Sequence, residues 1–161
     1  MCAPGKDDGP AKPRRGFSLL ELVLVMVIIA VIAAIAVPRY SSAASRYRVE
    51  TAARRVVADL ALAQARAKAL SSSQTVAFAV GTSQYQIVGM TDPDHGSSTY
   101  TVRLGDDPYR VMLQSVDFGG RSQVTFDAYG TADSNGAVVV RAGATQRTVV
   151  LDVNTGKAVM Q

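Results

Sequence analysis

The feature that most constrains this chain is a long apolar run near its N-terminus. Residues 17–37 read FSLLELVLVMVIIAVIAAIAV, which is 21 residues with a single charge, Glu21. As a helix rising 1.5 Å per residue, a run of this length extends about 31 Å, which matches the hydrocarbon core of a bilayer. The run therefore predicts one transmembrane helix and leaves a globular part smaller than the total of 161 residues suggests.

Charges ahead of the apolar run predict how the chain is oriented in the membrane. Four basic residues and two acidic residues give this segment a charge of +2, half of the formal net charge of +4; they are Lys6, Lys12, Arg14 and Arg15 against Asp7 and Asp8. Positive residues stay on the cytoplasmic side of a membrane helix. We therefore expect a single-pass protein with a cytoplasmic N-terminus and with everything after Val37 on the far side of the membrane, periplasmic or external.

An ordinary secretory signal is the alternative interpretation of the same segment. Residues 34–36 read Ala-Ile-Ala and offer a cleavage site of the small-residue type. Signal peptides, however, have apolar cores of about 7 to 15 residues, and this run is longer and contains a carboxylate. The helical pattern also continues past the run, so a retained anchor is favoured over simple signal removal.

Glu21 is the most informative residue of the run. Insertion scales assign a charged side chain within the apolar region a cost of about 2.5 to 3.5 kcal/mol, so the carboxylate needs a partner. If the chain is cut after Gly16, Phe17 carries a new cationic α-amine close to Glu21. Either this amine or that of a packed neighbour is a suitable partner, and the alternative is a Glu21 side chain that reaches back to the membrane surface.

The residues around Gly16 carry a family resemblance. The stretch Arg-Gly-Phe-Ser-Leu-Leu-Glu at 15–21, followed by the apolar run and Pro38, resembles the type IV prepilin signature. The resemblance implies cleavage between Gly16 and Phe17 by a prepilin peptidase, N-methylation of Phe17, and roles for Glu21 and Pro38 in filament assembly. Proline also removes a helix hydrogen bond, so Pro38 predicts a bend or a locally loosened turn.

After Pro38 the sequence predicts an amphipathic helix that ends near Ser71. Apolar residues recur at alternating spacings of four and three, which form one stripe: Val49, Ala53, Val56, Leu60, Ala63, Ala67 and Leu70. Charged residues are assigned to the opposite face: Arg48, Glu50, Arg54, Arg55 and Asp59. The stripe suits pairing as a coiled coil or, given its many alanines, packing against a sheet.

Period-two alternation after the serines predicts strands. Alternation is clearest around Val76, Phe78 and Val80, at 124–127 and at 149–153, and further strands are expected at 85–90, 100–104, 110–116 and 137–141. Turn signals at Asn135-Gly136 and at 154–156 predict hairpins. The predicted fold is α+β, with the second half of a long helix packed on an antiparallel sheet. The predicted domains are a leader (1–16), a transmembrane helix (17–37), an amphipathic helix (38–73) and a β-rich head (74–161).

A second resemblance narrows the family. Two parts of the chain resemble GspH/FimT-type minor pseudopilins. The first is the stretch LAQARAKAL at 62–70 followed by Val76, and the second comprises the segments at 126–130, 138–140, 149 and 155–157. This implies a structural subunit of a type II secretion pseudopilus, whose partners are prepilin peptidase, other pilin-like subunits and an inner-membrane assembly platform. The alternative is a minor pilin of a type IV pilus, FimT-like, which in some relatives binds DNA during uptake.

No constellation in the sequence predicts an enzyme, and no cofactor is expected. His95 is the only histidine, and phosphate-binding glycine motifs are absent. Asp92 with Asp94, or Asp106 with Asp107, would serve only as a weak calcium alternative because the EF-hand spacing is missing. A basic helical face could bind DNA, but a solvated face is favoured and nucleic acid is not expected as a partner; the face comprises Arg46, Arg48, Arg54, Arg55, Arg66 and Lys68.

Overall fold

The computed structural model describes residues 16–93, 96 and 98–161. The chain divides into two compact units, Met1–Arg39 and Tyr40–Gln161, and we call the second the globular unit. The leader predicted for 1–16 therefore lies outside the described residues except for Gly16. His95 and Asp94, one of the four aspartates of the calcium alternative, also lie outside the described residues.

One long helix, α1, runs from Leu19–Leu70. Within the globular unit its apolar stripe is buried as predicted from Val49 to Ala67. Leu70 is the exception at 57% exposure, because α1 ends there and Ser71 adopts a left-handed backbone with φ of 48°. Asp59 is a second exception, since it is buried rather than on the solvent face.

Among the described residues, eight strands follow the helix. They are β1 (Gln74–Ala79), β2 (Gln84–Thr91), β3 (Thr99–Arg103), β4 (Met112–Asp117), β5 (Gln123–Phe126), β6 (Gly136–Ala142), β7 (Thr145–Asp152) and β8 (Lys157–Met160). Val80, predicted as an inward strand position, instead begins a 3-10 turn, Val80–Thr82, through which the chain reverses into β2.

The strands form two antiparallel sheets where the sequence predicted one. The first sheet has the order β3-β2-β1-β5 and the second has the order β4-β6-β7-β8. The inward residues of both sheets join the stripe of α1 in one core cluster. The α+β fold with a long N-terminal helix is confirmed, and the second sheet arises because β5 pairs with β1 while β6 pairs with β4 and β7.

Asn135-Gly136 does not form the predicted hairpin turn. Gly136 begins β6, at the crossing from one sheet to the other. A Cβ atom at this position would lie 2.0 Å from Cδ1 of Phe118 and 2.6 Å from the carbonyl oxygen of Asp117, so close packing explains the glycine. The hairpin turn at 154–156 is confirmed, because it connects the paired strands β7 and β8.

Candidate processing and assembly site

The predicted cleavage point lies just ahead of α1. Gly16, Phe17 and Ser18 have no regular secondary structure and are exposed, and a Cβ at Gly16 would meet no atom within 4 Å. Helical hydrogen bonding begins with the amide of Leu22, which donates to the carbonyl oxygen of Ser18 at 3.1 Å. The Gly16-Phe17 peptide bond is therefore non-helical and open, which is the backbone state that a protease active site can bind.

Glu21 occupies the first turn of α1 and is exposed. A carboxylate here is favoured by the positive end of the helix dipole. It lies four positions after Phe17, on an otherwise apolar surface, and forms no ion pair with any of the residues that the structure describes. Gly16, Phe17 and Glu21 are thus brought together in one short segment.

The apolar run presents its large side chains outward. Their exposed fractions range from 45% at Val25 to 81% at Phe17. By length and composition α1 is the one described helix that can cross a membrane. Since an apolar surface of this size is not stable in water, lipid or neighbouring subunits must cover it. The N-terminal helix is therefore a membrane anchor for a soluble globular unit.

Pro38 lies inside α1, 17 positions after Glu21, and is not part of the segment around the cleavage point. The helix continues through this position as a single element. The loosened turn expected there, and its role in assembly, remain a prediction.

A buried polar cluster in the globular unit was missed by the sequence analysis. Asp59, 4% exposed, accepts hydrogen bonds from the hydroxyls of Tyr85 at 2.6 Å and Tyr100 at 3.0 Å, and from Nε of Arg55 at 3.0 Å. Arg55 also donates to the Tyr100 hydroxyl and lies over its ring. We call these four residues the Asp59 cluster; it fixes the position of α1 on the first sheet.

The electrostatics of the Asp59 cluster keep both tyrosines protonated. Burial raises the pKa of the Tyr85 hydroxyl, and the neighbouring Asp59 carboxylate raises it further. The same two causes raise the pKa of Tyr100. Burial disfavours the charge of Arg55, but Asp59 and Tyr100 outweigh this effect and raise its pKa. The cluster therefore holds one ion pair and two neutral phenols.

A second set of contacts ties α1 to loops of both sheets. Nε2 of Gln64 donates to the carbonyl oxygens of Gly130 at 2.8 Å and Thr155 at 3.2 Å. Gly156 lies against the same amide, since a Cβ there would be 2.3 Å from Nε2 of Gln64 and 2.5 Å from the carbonyl oxygen of Gly130. We call this contact the Gln64 clasp.

Three of the six residues of the basic helical face make ion pairs or hydrogen bonds within the protein. Arg54 pairs with Glu50, and Arg55 belongs to the Asp59 cluster. Arg66 donates to the Gln74 side chain at 3.0 Å and to the carbonyl oxygen of Gly89 at 3.2 Å. These contacts occupy part of the basic face, and the absence of a nucleic acid partner stays a prediction.

Two families match the chain in different regions. The family described as "Type II transport protein GspH" matches residues 52–156, and the "Prokaryotic N-terminal methylation motif" matches residues 11–37. Comparison with curated protein sequences gave no match.

Solved structures share the fold. The minor pseudopilin EpsH from the type 2 secretion system of Vibrio cholerae aligns with a TM-score of 0.54 at 15% identity, covering 71% of this chain and 96% of that one. The type IV minor pilin FimU of Pseudomonas aeruginosa strain PAO1 aligns with a TM-score of 0.52 at 14% identity, covering 72% of this chain and 90% of that one.

The family matches and the fold lead to one conclusion. The N-terminal motif coincides with the predicted cleavage point and membrane helix, and the GspH match extends over most of the globular unit, from within α1 to the turn before β8. Proteins of this family and fold are structural subunits. The chain belongs to the GspH family of type II transport proteins and is type IV pilin-like.

Proposed function

We propose that this chain acts as a minor pseudopilin, a structural subunit of a type II secretion pseudopilus that takes part in protein secretion. The observation that carries the proposal is the presence of an N-terminal methylation motif and a GspH region in one chain. The likeness to FimU is compatible with a minor pilin of a type IV pilus but does not favour it.

Maturation would begin at the segment before α1. Prepilin peptidase hydrolyses the Gly16-Phe17 peptide bond, which leaves Phe17 with a free α-amine. A sulfonium methyl donor then transfers its methyl group to that amine, which loses a proton, and the donor departs as a thioether. The open backbone at Gly16 supports this step, because a residue without a side chain lets the peptidase approach closely. The cut removes the basic leader and retains the membrane helix.

Assembly would then transfer the apolar surface of residues 17–37 from the inner membrane into the filament core. The Glu21 carboxylate costs about 2.5 to 3.5 kcal/mol in an apolar environment without a partner, and a cationic Phe17 amine on a neighbouring subunit offsets this cost. Glu21 thereby selects the axial register between subunits. The driving force and the guidance come from an inner-membrane assembly platform, while the globular unit faces the periplasm.

Replacing Glu21 tests this mechanism. Glu21→Ala should insert into the membrane and be cleaved normally, yet its amount in the sheared filament fraction should fall about tenfold or more, as expected for the loss of a pair worth about 1.4 kcal/mol or more. Glu50→Ala removes a surface carboxylate from the same helix and serves as the control. Equal incorporation of both variants would contradict the role of Glu21.

A further inference from the structure

A cleft with both charged and apolar lining residues opens on the globular unit, beside the first turns of α1 in that unit. It has a volume of about 800 Å³. The helix contributes Ser45 and Arg48, the β3–β4 loop contributes Asp107, and β4 and β6 contribute Met112 and Arg141. We call it the Arg48 cleft.

The charges of the Arg48 cleft are unbalanced. Its lining holds three guanidinium groups and two carboxylates, namely Arg48, Arg110 and Arg141 against Asp106 and Asp107. Arg110 and Asp107 form a two-pronged pair, with both N–O distances at 2.7 Å. Hydrogen bonding from Arg110 lowers the pKa of Asp107, and Arg48 adds a smaller charge effect. The Asp106 carboxylate lies 3.9 Å from the guanidinium of Arg103, a residue that does not line the cleft.

Two guanidinium groups remain for a ligand. Among the described residues, neither Arg48 nor Arg141 has a carboxylate within ion-pair distance. Arg141 is held in place, because its Nε donates to the carbonyl oxygen of Gly143 at 2.7 Å. Its cross-strand partner on β4 is Met112, which is 56% exposed. The cleft thus places an exposed methionine beside a pre-oriented guanidinium.

We infer that the Arg48 cleft is the docking surface for an acidic segment of a neighbouring pilin-like subunit. This inference rests on the proposed function. Methionine and arginine are enriched in protein interfaces, and a guanidinium whose orientation is already fixed loses less entropy on binding a carboxylate. The Asp106 and Asp107 carboxylates disfavour a polyphosphate backbone or a dense anionic membrane surface. The matching segment carries an aspartate or glutamate next to an apolar side chain.

Site-directed crosslinking in native membranes tests the inference. The parent chain is the full-length protein with Cys2→Ser. With Met112→Cys added and labelled with a maleimide benzophenone, it should crosslink to another pilin-like subunit at a peptide that contains an acidic residue. Val159→Cys, on the edge strand β8 and 53% exposed, is the positional control. Yield from Met112→Cys should exceed that of the control.

Charge reversal then tests electrostatic recognition. Arg141→Glu should lower the Met112→Cys crosslink yield about tenfold, whereas Arg147→Glu, an exposed arginine of the same hairpin outside the cleft, should leave it within about twofold. Arg48→Glu should act like Arg141→Glu. Equal unfolding midpoints of the variants would show that each globular unit still folds.

The outcomes separate this inference from the proposed function. If the parent chain is found in sheared filaments but Met112→Cys crosslinks no better than Val159→Cys, the cleft inference fails alone. It also fails if the crosslink is insensitive to Arg141→Glu, or if the parent chain instead binds vesicles containing phosphatidylglycerol in an Arg141-dependent manner. Absence of the parent chain from filaments overturns both.

Discussion

Replacing Asp59 with alanine removes the acceptor that connects α1 to the first sheet. The carboxylate receives hydrogen bonds from Arg55, Tyr85 and Tyr100. These partners differ in how well they can recover. The Arg55 side chain is 42% exposed, so water can replace the lost contact of its Nε while another nitrogen of the guanidinium still donates to the Tyr100 hydroxyl. The Tyr85 residue, in contrast, is only 1% exposed. The cost is therefore concentrated on Tyr85.

The magnitude follows from these differences. An unsatisfied buried hydroxyl costs about 1 to 3 kcal/mol, and removing one member of a buried ion pair costs about 3 to 5 kcal/mol when the other stays buried. Because Arg55 can rehydrate, we expect Asp59→Ala to lower the free energy of unfolding by about 3 kcal/mol. With a slope of about 1.5 kcal/mol per molar urea, the urea midpoint should fall by about 2 M.

The assay is urea unfolding of the full chain in detergent micelles, followed by tyrosine fluorescence, since the chain has no tryptophan and six tyrosines. Glu50→Ala removes a carboxylate from an exposed pair on the same helix and should cost about 0.5 kcal/mol at most. Asp59→Ala with Tyr85→Phe should be more stable than Asp59→Ala alone, because the stranded hydroxyl is gone. A shift no larger than that of Glu50→Ala, or no gain from Tyr85→Phe, would refute the reasoning.

Three further predictions follow from the geometry. The pKa of Tyr85 in the folded chain is raised above its ordinary value of 10.0, so the unfolded chain releases this proton at a lower pH than the folded chain. The free energy of unfolding should therefore decline above about pH 10. Tyr85→Phe should make this decline smaller, as measured by urea midpoints at pH 9 and 11. Gly156→Ala combines an unfavourable φ of +64° with a clash against the Gln64 clasp, and should lower the free energy of unfolding by about 3 kcal/mol. Gly143→Ala has a similar φ of +58° but meets no atom, and should lower it by about 1 kcal/mol. Equal urea midpoints of the two variants would show that the clasp does not contribute to stability. A bulky replacement of Gly16, such as Gly16→Trp, should block cleavage and leave full-length precursor in the membrane, as measured by intact mass. A mature N-terminus at Phe17 in that variant would contradict the need for glycine before the cut.

The sequence predicted the elements better than their pairing. Alternation located strands close to β1, β5 and β7, because side-chain period reports which face of a strand is buried. The further strands expected at 85–90, 100–104, 110–116 and 137–141 lie close to β2, β3, β4 and β6. It does not report the partner strand. Gln74 of β1 pairs with Phe126 of β5 across a long stretch of chain, and no local pattern encodes that contact. The division into two sheets was missed for this reason.

Asp59 shows how residue type can mislead where spacing is correct. It lies three positions after Val56 and four before Ala63, both of which are buried, so its position belongs to the stripe. Because aspartate is rarely buried without partners, the sequence predicted that Asp59 lies on the solvent face. Arg55 on α1 is one partner, but the two hydroxyl partners come from β2 and β3, and helical periodicity carries no information about a distant strand. Predicting the cleavage segment around Gly16 and Phe17 required no knowledge of tertiary contacts, and the methylation motif that matches 11–37 includes these residues.

The central claim, that this chain is processed as a pilin-like subunit, is tested most directly by the intact mass and N-terminal sequence of the protein extracted from its native membrane. The account predicts a chain that starts at Phe17 and carries one N-methyl group, which adds about 14 Da. A chain that starts after Ala36, or one that retains Met1 and the leader, would contradict it.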